Sequence, residues 1–98
     1  MLVRVVKMTF REDAIDTFKG FFEGRKEQIR GFEGCTHLEL WQDNLHQNIF
    51  FTYSYWQDES SLNHYRNSAF FRDTWSLTKQ MFSAKAEAYS VNRLVVLP

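Results

Sequence analysis

Ile49-Phe50-Phe51-Thr52-Tyr53-Ser54-Tyr55-Trp56 is an unbroken run in which every residue except Ser54 is β-branched or aromatic. Such a stretch is predicted to be a strand. Its side chains are bulky on both faces, so both faces need cover. That requirement decides the fold, because a helical layer covers only one side of a sheet.

On the N-terminal side, Asp43–Asn48 is a polar hairpin connection. Before it, Cys35–Gln42 alternates Thr36, Leu38 and Leu40 against His37, Glu39 and Trp41, as a strand does. On the C-terminal side, Asp58 is placed to cap a short helix reaching Asn67, and Ser68 a second one. Phe71, Trp75, Thr78 and Phe82 form the apolar stripe of that second helix. Lys85–Leu97 reads as a closing strand with Val91, Val95 and Leu97 in alternation. At the other end, Met1–Thr9 is a Val- and Met-rich strand. Thr9-Phe10-Arg11-Glu12 fits a capping box. Ile15, Phe18, Phe22 and Ile29 then follow at helical spacing, with Phe21 beside them. This helix is predicted to run to Arg30 and stop at Gly31.

The resulting order, β-α-β-β-α-α-β, is a ferredoxin-like α+β fold with an antiparallel sheet, one domain over residues 1–98. Helices cover one sheet face. The other would be a large apolar patch. Packing it against the same face of a second copy gives a two-fold homodimer, the expected assembly.

Composition narrows the function. Aromatics are 17% of the chain, with ten Phe, four Tyr and three Trp, more than a 98-residue core easily hides. Some are expected at a pocket or an interface. Formal net charge is zero and no basic cluster stands alone, which argues against nucleic-acid binding through bulk charge. Cys35 is the only cysteine, so no internal disulfide forms. Met1–Phe10 carries Arg4 and Lys7 and reads as a strand, not a secretion leader. No apolar run spans a bilayer. No membrane association and a cytoplasmic location are the default expectations.

The stretch Tyr55-Trp56-Gln57-Asp58-Glu59-Ser60-Ser61-Leu62-Asn63-His64-Tyr65-Arg66-Asn67-Ser68-Ala69-Phe70-Phe71 resembles the middle-helix pattern of the antibiotic biosynthesis monooxygenase family. The shared features are an aromatic ending the third strand, an acidic cap, an apolar residue, a His, then Ser followed by Phe. Phe32-Glu33-Gly34-Cys35 is similar to the family's turn before the second strand. The resemblance implies a dimeric α+β barrel with one pocket per protomer between sheet and helices. It also implies oxidation of aromatic or quinol-type molecules by dioxygen, with no metal and no flavin cofactor. A related branch degrades haem, using an Asn on the first strand and a His after a Trp on the later helices. Here no Asn precedes Asn44 and no His follows His64, so the chain departs from that branch.

His64 matches the family's helix histidine and is the candidate catalytic base. The alternative is a structural histidine that fixes its helix. Phe71 and Trp75, joined by Tyr65, are candidate substrate-binding walls, with plain core packing as the alternative. Tyr53 and Tyr55 share a strand face and suit a dimer interface. His37 and Glu39 are better read as a surface ion pair than as metal ligands. Arg66 and Arg93 could hold an anion, though arginines are usually solvated. Paired carboxylates, a serine nucleophile and a phosphate loop are missing. Against the enzyme stands a second reading: a non-catalytic dimeric module that binds a small ligand or serves a stress response.

Overall fold

Strands β1 (Leu2–Phe10) and β3 (Ile49–Trp56) pair antiparallel from Leu2 opposite Trp56 to Thr9 opposite Ile49 in the computed structural model, which describes residues 1–98. β2 (Cys35–Gln42) flanks β3 and β4 (Phe82–Val91) flanks β1, giving the sheet order β2-β3-β1-β4. Every pairing is antiparallel. Between the strands run α1 (Ile15–Glu23), α2 (Lys26–Arg30), α3 (Glu59–Arg66) and α4 (Ala69–Lys79). This is the ferredoxin-like α+β arrangement. No helix is long and apolar enough to cross a membrane.

The predicted caps of the later helices form. Asp58 Oδ1 accepts from the Ser61 amide at 2.7 Å, and Ser68 Oγ accepts from the Phe71 amide at 3.1 Å. The predicted capping box at Thr9 does not form. Thr9 lies inside β1, held between Ile49 and Ala84, and a single 3-10 turn at Glu12–Ala14 leads into α1 without a side-chain cap. The first helix also departs from one rod ending at Arg30. It breaks at Gly24–Arg25, where the Arg25 amide bonds to the Phe22 carbonyl three residues back. Gly24 is a poor helix former, and the Arg25 side chain is drawn across to α4.

The last strand is shifted from the predicted Lys85–Leu97. β4 begins at Phe82, so Phe82 continues no helical stripe, and it ends at Val91. The reason is its partner. β1 begins at Leu2, and the ladder closes with Val3 opposite Val91, which leaves residues beyond 91 nothing to pair with. Arg93 crosses to the helix-free face and sits 4.6 Å above the Tyr55 ring.

Alternation along the strands sorts the two faces. Phe10, Met8 and Val6 of β1 point to the helices with Phe50 of β3. Phe10, Phe18 and Phe50 form a tight aromatic group, with Phe10 and Phe18 stacked at 4.1 Å. Burying each ring contributes about 1.5–3 kcal/mol. A second group gathers Ile29, Cys35, Trp56, Leu62 and Tyr65 at the other end of the sheet. Cys35 is a small buried filler of this group. Its thiol donates to the His37 carbonyl, and burial pushes its pKa up. On the helix-free face, Trp41 stacks on Tyr53 at 4.6 Å and His37 on Tyr55 at 4.5 Å. His37 Nε2 pairs with the Glu39 carboxylate, whose other oxygen accepts from Trp41 Nε1 at 2.8 Å.

Candidate active site

The two core groups do not meet along the whole sheet. Between them, under the helices, lies a cavity of about 420 Å³, within the usual size range of small-molecule sites. Its floor is the sheet. One cross-strand row contributes Leu38, Ser54 and Arg4, the next Thr52, Val6 and Ala88, and beyond them comes Met8. The floor therefore grades from polar at Arg4 to apolar at Met8.

The roof follows helical arithmetic. Phe18, Phe21, Phe22 and Arg25 line it from the first helical segment at spacings of three and four. Leu62, Tyr65 and Arg66 do so from α3, and Phe71, Thr74, Trp75 and Thr78 from α4. Phe71 and Trp75 are near-parallel, 6.0 Å apart, and Trp75 meets Phe82 edge-on. These rings are walls and core at once.

Of the four residues singled out from sequence, Tyr65, Phe71 and Trp75 line the cavity and His64 does not. On α3 each residue turns about 100°. His64 is thus roughly opposite Leu62, on the solvent side, where its ring packs against Phe32 at 5.8 Å. Tyr53 and Tyr55 are on the helix-free face, bonded hydroxyl to hydroxyl at 3.1 Å. Arg93 is on that face too, whereas Arg66 is at the cavity.

Three groups give the cavity its chemistry. Tyr65 is 8% exposed, stacks on Trp56, and makes no side-chain hydrogen bond within the protein. Burial, then the nearby Cys35, raises its phenol pKa well above the usual value, so the hydroxyl stays protonated and free to donate to a ligand. Ser54 Oγ accepts from Trp56 Nε1 at 3.0 Å, which leaves its own proton free to donate. Arg4 Nη1 donates to Ser90 Oγ at 2.9 Å. Burial and then the Arg66 charge lower the Arg4 pKa. Arg25 is already engaged, with Asp73 Oδ2 at 2.8 Å and Thr74 Oγ1 at 2.9 Å. No carboxylate and no imidazole lines the cavity.

Sequence reasoning missed Arg4, Thr52 and Ser54. A signal was present: each sits in the buried phase of its strand, between large apolar residues, where a polar side chain needs a reason.

The model of the antibiotic biosynthesis monooxygenase family matches residues 1–75. The crystal structure of an antibiotic biosynthesis monooxygenase superposes with a TM-score of 0.90 at 17% identity, covering 97% of this chain and all of its own. A conserved protein from Methanosarcina mazei gives 0.88 at 21% identity, covering 96% and 94%. A protein from Pseudomonas aeruginosa gives 0.84 at 17%, with 96% and 94% covered. These likenesses establish the fold. No curated protein sequence matches the chain. A match reaching from β1 into α4 takes in most of the sheet floor and the roof residues up to Trp75, and by it the chain belongs to the antibiotic biosynthesis monooxygenase family.

Proposed function

We propose that the chain is a cofactor-independent monooxygenase that oxidises a small phenolic or quinol-type aromatic in the cavity between sheet and helices. The observation that carries this is a flat-walled aromatic cavity whose polar lining consists of hydroxyls and guanidiniums, with no carboxylate. Phe71 and Trp75 suit a planar ring. The Tyr65 and Ser54 hydroxyls favour negative charge on the bound oxygen. An electron-rich anion is what dioxygen attacks. One oxygen atom enters the ring as a new carbonyl, two hydrogens leave, and the second oxygen atom departs as water. The substrate's own acidity, lowered by these donors, takes the place of a protein base. Walls of apolar side chains shield the intermediate from water.

The same reading takes the active form to be a homodimer joined through the helix-free face, because Trp41, Phe51, Tyr53 and Tyr55 crowd that surface.

The test is oxygen uptake by metal-stripped, flavin-free protein with a panel of naphthols, anthrones and quinols, under ¹⁸O₂. Saturable uptake with one labelled oxygen in the product is the expected result. Binding of panel members without oxygen uptake would replace the enzyme with the binding-module reading.

A further inference from the structure

We infer that the cavity's polar end is an oxyanion subsite made by Arg4 and Arg66, so that the ligand is an aromatic carrying a carboxylate or phosphate group. This rests on the cavity being the ligand site and deepens that reading by naming the ligand's second recognition element.

Both arginines line the same cavity, half-buried Arg4 from the floor and the more exposed Arg66 from α3. Neither has a carboxylate partner: the ion pairs of the molecule are formed by Lys7, Arg11, Arg25, Lys26 and His37. Arg4 has only the Ser90 hydroxyl, and the Arg66 side chain has no hydrogen-bond partner within the protein. Two cations facing one space repel each other, and a half-buried one also loses hydration. The burden falls on Arg4, and an anion between the two relieves it. The charge balance is unopposed, because the third arginine of the lining is neutralised by Asp73 and no acidic side chain reaches the cavity. The guanidinium fork also matches the geometry of carboxylate and phosphate oxygens. The Ser54 hydroxyl, directly opposite Arg4 in the ladder, adds a neutral donor beside them. An apolar ring would then extend from this end toward Met8, Phe18 and Trp75.

Calorimetric titration of the full chain with 2-naphthoate, 2-naphthyl phosphate and the neutral 2-naphthamide, in phosphate-free buffer at low salt, tests this. At least one of the two anions should bind tenfold or more tightly than the amide, and which one identifies the oxyanion. Arg4→Gln/Arg66→Gln should erase the preference while amide affinity stays within twofold. Should the double variant fold poorly by circular dichroism, Arg66→Gln alone should cut the preference at least threefold, since that side chain holds nothing else. Equal binding of all three ligands, or an anion preference left undiminished in Arg66→Gln, would overturn the inference. An inactive protein that still prefers the anion removes the monooxygenase reading and leaves the subsite standing. An active protein without the preference does the reverse.

Discussion

Tyr65 on α3 lies flat against Trp56 at the end of β3, ring centroids 4.8 Å apart and planes inclined by 26°. The stack ties a helix to the sheet through two faces, while the Tyr65 hydroxyl is left unbonded at the cavity. Packing and chemistry are therefore separable in one side chain. Tyr65→Phe keeps the stack and orphans no partner. Its melting temperature should stay within about 4 °C of the wild type, the equivalent of about 0.5 kcal/mol in a domain this size. Turnover should fall by about 10², as for loss of one preorganised donor. The pH dependence follows from sign. The folded pKa of Tyr65 lies above its unfolded value, so its contribution is fully present below about pH 10 and is lost as pH rises above that. Alkaline melts of Tyr65→Phe should show a shallower decline.

His64 makes the complementary case. A base must reach the proton it takes, and His64 faces away from the cavity with Phe32 as its neighbour. His64→Ala is expected to keep turnover within about twofold and to change stability slightly, as surface substitutions do. Oxygen-uptake kinetics decide it. A fall of about 10²–10⁴ with the fold intact would return the histidine to the role its sequence position suggested.

The contrast between these neighbours shows what was legible in the chain. Element order, both later caps and the aromatic walls at Phe71 and Trp75 could be read because period and capping are local properties. The reading of His64 rested on residue type and resemblance, and the 100° step from Tyr65 turns its ring away from the cavity. Arg4 was hidden for a different reason. As one charge among Val residues it looked like strand decoration, and only the ladder to Ser54 and Ser90 reveals that it points under the helices. The end of β4 was invisible for want of a partner. Alternation in Val91, Val95 and Leu97 satisfies a strand pattern, yet pairing needs a neighbour, and β1 has run out.

Gly34 offers a stability test. Its φ is +89°, and a Cβ there would fall against the Ser61 side chain, 2.5 Å from its Oγ. The turn must be glycine twice over, for the left-handed backbone and for the close approach of α3. Gly34→Ala should cost about 1–2 kcal/mol for the backbone and about 1–3 kcal/mol more for the crowding. Adding Ser61→Gly should recover the second part and not the first. A denaturant double-mutant cycle measures the coupling. Purely additive losses would mean that the clash is relieved by a shift of α3.

The last prediction concerns the sheet's uncovered side. Phe51, Tyr53 and Tyr55 of β3 lie there beside Trp41 and His37 of β2, stacked on one another but half open to solvent. Leu94 and Leu97 beyond β4 are 91% and 81% exposed. A lone protomer would hold this much aromatic and aliphatic surface in water, at about 25 cal/mol for each Å² left uncovered. A second copy, packed face to face about a two-fold axis, removes the same patch from both chains at once. Light scattering at micromolar concentration should therefore give twice the chain mass of 11.8 kDa. Phe51→Glu places like charges close together across such an axis. That should raise the dimer dissociation constant by about 10² or more. The cavity lies on the opposite side of the sheet, so the monomeric variant should keep its circular dichroism and its helix-side packing. A wild-type protein that is monodisperse at the mass of one chain would remove the dimer, and the aromatic face would then need another occupant.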